Sequence, residues 1–211
     1  GLVTMKDLAI IAPASFPDSG GNGSVIQSRG DVFENVDLIS ENPGSGGASS
    51  VIAGGSFTNV RVFGRNGGSI DRAFYANCSG SGPMVLEQVE IRSVGLAVGS
   101  NCPDVPVTVS RAHISGDGTP ISVSDGARIA VANSVFESGE FSPISAYNTK
   151  AQNTEIALDH VTLVAVGDNT RVQDFMASLQ RGDLLREVGD IGEVEFDRSF
   201  DAQIDLAVEA L

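Results

Sequence analysis

Apolar and polar residues alternate in short runs along most of this chain, and no helical spacing of useful length occurs before residue 170. The clearest case lies in Met84–Gly116. There Val85-Leu86-Glu87-Gln88-Val89-Glu90-Ile91 alternates like a strand and returns as Thr108-Val109-Ser110-Arg111-Ala112-His113-Ile114. Between the copies lie a second apolar piece, Leu96-Ala97-Val98, and a turn, Gly99-Ser100-Asn101-Cys102-Pro103.

The phrase extends beyond this stretch. A polar–apolar–any–apolar anchor begins at Asp7, Asn35, Asn59, Gln88, Arg111, Asn133 and His160, at steps of 28, 24, 29, 23, 22 and 27 residues. The mean, about 25, is in the solenoid range. A second apolar piece recurs within each repeat: Ser24–Ile26, Ser50–Ile52, Ala73–Tyr75, Leu96–Val98, Ile121–Val123 and Ile144–Ala146. A helix-free repeat of this length buries its apolar residues only against neighbouring repeats. Coiling achieves that, with parallel strands about 4.8 Å apart and crossovers that are right-handed by rule. The sequence therefore predicts an all-β fold, a right-handed parallel β-helix of about six to seven coils, with residues 1–167 as the helical coil domain.

The sequence changes character after Gly167. Val172, Phe175, Met176 and Leu179 share a helical face, Asn169-Thr170 can cap it, and Val194–Asp197 alternates like a strand. Residues 168–211 are expected to be a partly helical C-terminal cap covering the open solenoid end. The rival expectation is an assembly segment that contacts another subunit.

The succession of apolar strand, Asn/Ser/Gly turn, apolar strand and Asn-Val-x-apolar anchor, as in Asn35–Leu38 and Asn59–Val62, resembles the right-handed β-helix repeat proteins of the pectin-lyase-like superfamily. The resemblance spans about three quarters of the chain and implies the fold. It does not select a function, since that superfamily includes polysaccharide lyases, glycoside hydrolases, tailspikes, adhesins and non-catalytic surface proteins.

Composition narrows the partners. Aromatic residues are 6% of the chain, Trp is absent and Gly numbers 25, which suits short strands and tight turns. The net charge of −14 repels phosphate backbones, so neither nucleic acid nor an anionic membrane is an expected partner. No apolar run approaches the roughly 18 residues of a membrane span. The chain begins Gly-Leu-Val, as expected of a processed or excised product.

Cys78 and Cys102 follow matching turns 24 residues apart, close to one repeat. Stacked coils bring their Cα atoms within disulfide range, and a bridge between adjacent coils is expected, with an oxidising compartment. Asn77, Asn101, Asp125 and Asn148 form one polar column, and Asn35, Asn59 and Asn133 another. Both are expected to be structural ladders of side-chain amides.

The residue between the two apolar anchor positions faces out. That row reads Ala9, Asp37, Arg61, Glu90, His113, Val135, Thr162, with Arg92 and Arg111 beside it as candidate ligand-binding residues. If the chain is an enzyme, Asp37, Glu90, His113 and Arg61 are the catalytic candidates, because an elongated flat face suits a chain-like sugar. The bland reading is a ladder of weak ion pairs, about 0.2–1 kcal/mol each. The absence of Trp and of an outward Lys in the row favours it. Arg181-Gly182-Asp183 spells an integrin-type tripeptide, but three residues match easily by chance and a helix break explains the Gly. No phosphate loop, nucleophile elbow, dinucleotide fingerprint or metal spacing is present, and no cofactor or metal is expected.

The resulting expectation is a non-catalytic secreted or cell-surface module for adhesion, spacing or assembly. Its partners would be a polysaccharide or surface glycan, and a second copy bound through residues 168–211. The alternatives are a polysaccharide lyase or glycoside hydrolase, and a fragment of a larger spike or adhesin.

Overall fold

A computed structural model describes residues 2–165, apart from 14–23, 29, 43–48, 53, 79–81, 94, 140–142 and 148–153. In chain order the strands are β1 (Thr4–Ala12), β2 (Ser24–Gln27), β3 (Asp31–Ser40), β4 (Ser49–Ile52), β5 (Gly55–Gly64), β6 (Arg72–Ala76), β7 (Met84–Glu87) and β8 (Glu90–Arg92). They continue as β9 (Leu96–Ser100), β10 (Val107–Ser110), β11 (His113–Ser115), β12 (Thr119–Ser124), β13 (Arg128–Ser138), β14 (Ile144–Tyr147) and β15 (Glu155–Ala165). Every described pairing is parallel, and the strands fall into a nine-stranded and a six-stranded sheet. This is the all-β parallel solenoid that the repeat predicts. In the larger sheet two rungs are split (β7 with β8, β10 with β11), so the nine strands make seven levels, against six in the smaller sheet. The described residues contain no helix. The expected partly helical cap, residues 168–211, and the tripeptide at Arg181–Asp183 lie outside the described residues.

One backbone feature recurs on every level of the larger sheet. The first anchor residue has positive φ at Asp7, Asn35, Asn59, Gln88, Arg111, Asn133 and His160, all between 49° and 54°. A straight strand sends every second side chain to the same face. A single left-handed residue breaks that phase, so buried positions are three apart across it and two apart beyond it. Phe33, Val36 and Leu38 are buried in this rhythm, as are Phe57, Val60 and Val62, then Leu86, Val89 and Ile91, then Val109, Ala112 and Ile114. The column thus creases the sheet along its length, giving each coil two sides there and a third in the smaller sheet. The conformation disfavours β-branched residues strongly and suits Asn and Asp best. Asn59 Nδ2 donates to Asn35 Oδ1, and Asn35 Nδ2 to Asp7 Oδ1, both at 2.8 Å. These bonds realise the amide ladder expected of Asn35 and Asn59.

The core is a set of like-on-like columns. Phe33 and Phe57 stack with centroids 4.7 Å apart, and Phe74 from the smaller sheet meets Phe57 edge-on at 5.1 Å. Ser134 is the polar member of an otherwise apolar column. Its hydroxyl donates to the Ala132 carbonyl at 2.8 Å and accepts the Ala112 amide at 3.0 Å, so its burial leaves no unpaired group. The turns between sides are tight: a Cβ added at Gly118 would lie 1.7 Å from the Gly95 carbonyl oxygen of the coil below.

Cys78 and Cys102 are disulfide-bonded, with Cα atoms 5.0 Å apart, about one rung spacing. The bridge joins the ends of β6 and β9 in adjacent coils.

Two outcomes follow from this packing. Replacing both cysteines with serine should lower stability by about 3.5 kcal/mol, the loop-entropy value for a closed loop of roughly 25 residues, read from the urea midpoint. Phe57→Ala should cost about 3–5 kcal/mol by the same measurement, because its void would open between two other phenyl rings.

Candidate functional site

The outward row exists as one continuous line. Ala9 pairs in register with Asp37, Asp37 with Arg61, Arg61 with Glu90, Glu90 with His113, His113 with Val135, and Val135 with Thr162. Each lies just beyond the crease, between the two inward positions of its anchor, so its side chain is directed to the surface. The four catalytic candidates, Asp37, Arg61, Glu90 and His113, are therefore consecutive neighbours on one face.

Their partners are only partly those that alternating sign suggests. Arg61 makes a two-pronged contact with Asp37, Nε to Oδ1 at 2.7 Å and Nη2 to Oδ2 at 2.5 Å. Glu90 turns along its own strand and accepts from Arg92 Nη2 at 2.8 Å. His113 Nε2 reaches Glu137 Oε1 on the next level, 3.0 Å away. Arg111 projects from the crease to Glu87. One rung-to-rung ion pair of the expected ladder is therefore present, and the other charges are held by diagonal or same-strand partners. All these groups keep substantial solvent contact, so each pair is individually weak. The hydrogen bond and charge contact with Asp37, with a smaller push from Glu90, hold the Arg61 guanidinium above its ordinary value.

The sequence pattern did not single out Glu137 or Glu87. Glu137 belongs to a second outward column two residues beyond the row, level with Arg92 and Phe63. Glu87 belongs to a column before the crease, with Lys6, Glu34 and Asp159. Reading every outward column, rather than one, would have found both. Arg65 and Asn66 close a further cluster on Glu41 at 2.6 and 3.1 Å, in a turn that the repeat pattern passes over.

The face is shallow. A depression of about 160 Å³ is lined by Arg61, Val62, Phe63, Glu90 and Arg92. A wider, open trough of about 510 Å³ runs over Asp7, Leu8, Ala9, Asn35, Asp37, Asn59 and Arg61. Asp37 and Glu90 are two rungs apart, about 9.6 Å from strand spacing alone, at the upper limit of the roughly 6.5–9.5 Å of an inverting carboxylate pair. The rung between them carries Arg61. His113 is bound to a carboxylate and has no hydroxyl or thiol partner among its recorded contacts. His160 sits in the crease column within β15, with Nδ1 at 2.5 Å from Asp159 Oδ1.

Fold and surface together define the class: a disulfide-stapled parallel β-solenoid with a charged, nearly flat lateral face. Comparison with protein-family models, curated proteins and solved structures finds no match for the chain. None of these comparisons supports the resemblance to pectin-lyase-like proteins; the structure itself shows a parallel β-solenoid.

Because the Asp37–Arg61 contact is exposed, Arg61→Met should shift the urea midpoint far less than Phe57→Ala does. An equal shift would mean that the row is a structural element of the coil.

Proposed function

We propose that the chain is a rigid, non-catalytic β-helix module of a secreted or cell-surface protein, used for adhesion, spacing or assembly. The observation that carries this reading is the state of the lateral row. Asp37, Glu90 and His113, the groups available for acid–base work, are each engaged by a charged neighbour, and the surface that the described residues form over them is open. Catalytic acids and bases work in sites that exclude water and aim a group at the substrate, and an open face of paired charges suits a binding or spacing role better. Stacked coils tied by backbone bonds on every level supply stiffness. The Cys78–Cys102 bridge fits an oxidising compartment.

A second reading, polysaccharide cleavage, is favoured by the depression between Arg61 and Arg92, where Phe63 offers an apolar wall and Glu90 a carboxylate. One experiment separates the two. The chain is incubated with acidic and neutral polysaccharides and new reducing ends or unsaturated products are measured. The module reading expects none. Turnover that disappears in Glu90→Gln would replace it with the enzymatic one.

A further inference from the structure

The two ends of the coil present matching surfaces. Among the described residues β1 pairs only with β3, and β15 only with β13, so within that set each has a partner strand on one edge only. At the β1 end apolar side chains meet solvent: Leu8 is 37% and Ile11 44% exposed. In the larger sheet the core columns run from one end to the other, apolar except at Ser134. Met5, at one end, shares its column with Leu158 at the other. Leu8 likewise lines up with Val161, and Ile10 with Leu163. In the smaller sheet Ile26 and Ile144 are the two ends of one inward column.

We propose that copies of this chain stack end to end, with β15 of one copy adding to β1 of the next as a further parallel rung. Three observations choose this occupant. Continuing the register by one level puts apolar on apolar in every inward column just named. It puts Asp159 against Lys6, whose side chains are 60% and 51% exposed, and His160 against Asp7. It also brings together two creases of the same shape, φ 52° at His160 and 53° at Asp7. A head-to-head dimer fails on the last two counts. It would run β1 antiparallel to its own copy, and centring it on the crease would oppose Asp7 to Asp7. The contact is heterologous, and continuing the parallel register carries each copy along the coil axis, so the product is a linear stack. Edge-to-edge strand addition provides the backbone bonds, and the charged pairs set the register. This deepens the assembly reading above, and the two can fail separately: glycan turnover bears on the lateral face, and self-association on the ends.

The test is sedimentation velocity of the full 211-residue chain across a concentration series at low salt. The expected result is a sedimentation coefficient that rises with concentration and falls back as salt screens the pairs. Lys6→Glu and Asp159→Lys should each weaken association roughly tenfold, as an attractive cross-strand pair becomes a repulsive one. An equimolar mixture of the two variants should recover assembly, because every junction between unlike copies is again complementary. Lys6 also pairs with Glu34 at 2.6 Å within its own chain, so far-ultraviolet circular dichroism checks the fold of each variant. If Lys6→Glu is misfolded, Asp159→Lys alone decides. A wild-type chain that stays monomeric at every concentration overturns the proposal, as it would if residues 166–211 cover the β15 edge. So does association that neither reversal weakens.

Discussion

The rest of the structure depends on the crease. Seven successive levels place a residue in the left-handed region at the same point of the coil, and two of those residues, Gln88 and Arg111, have no intrinsic preference for it. Such a conformation is unfavourable by about 1–2 kcal/mol for a residue other than Gly, Asn or Asp. It persists because each level is hydrogen-bonded to its neighbours in one register, and a lone extended residue among creased ones would send its buried side chain to the wrong face. Parallel stacking therefore imposes the geometry, and the Asn59–Asn35–Asp7 chain of hydrogen bonds favours it where the residues allow.

From the crease follow both the core and the surface. The three-then-two rhythm sends Phe33, Phe57, Leu86, Val109 and Val131 into one column and Leu38, Val62, Ile91, Ile114 and Phe136 into another. The residue between two buried anchors faces solvent on every level, so Asp37, Arg61, Glu90 and His113 form a line whatever their purpose. A repeating backbone produces charge rows as a by-product of burial. Alignment in a row is thus a weak argument for catalysis, and the identity of each charge's partner is a stronger one. Here those partners are a guanidinium for Asp37 and for Glu90, and a carboxylate for His113.

The regular parts were legible in the sequence because they depend on near neighbours. Anchor spacing located seven levels, every one of which pairs with the next in the expected register. The Cys78–Cys102 bridge was legible for the same reason, since one repeat of separation becomes one rung of distance. The charge partners were not. Arg and Glu side chains are long enough to reach diagonally, along the strand or across the crease, and several such contacts compete within a few tenths of a kcal/mol. Arg111–Glu87 and His113–Glu137 are choices of that kind.

By itself the sequence determined which side chains are inside, how often the chain returns to the same face, and which outward residues lie side by side. Those properties are set by the period of two along a strand and by a repeat length close to one coil. Tertiary structure alone decided that every anchor begins with a left-handed residue and that most of the lateral charges pair away from their rung neighbours. Both depend on coils being in contact. Stacking holds a backbone conformation that Gln and Arg would rarely adopt alone, and it brings within reach carboxylates that lie in the chain roughly one repeat away.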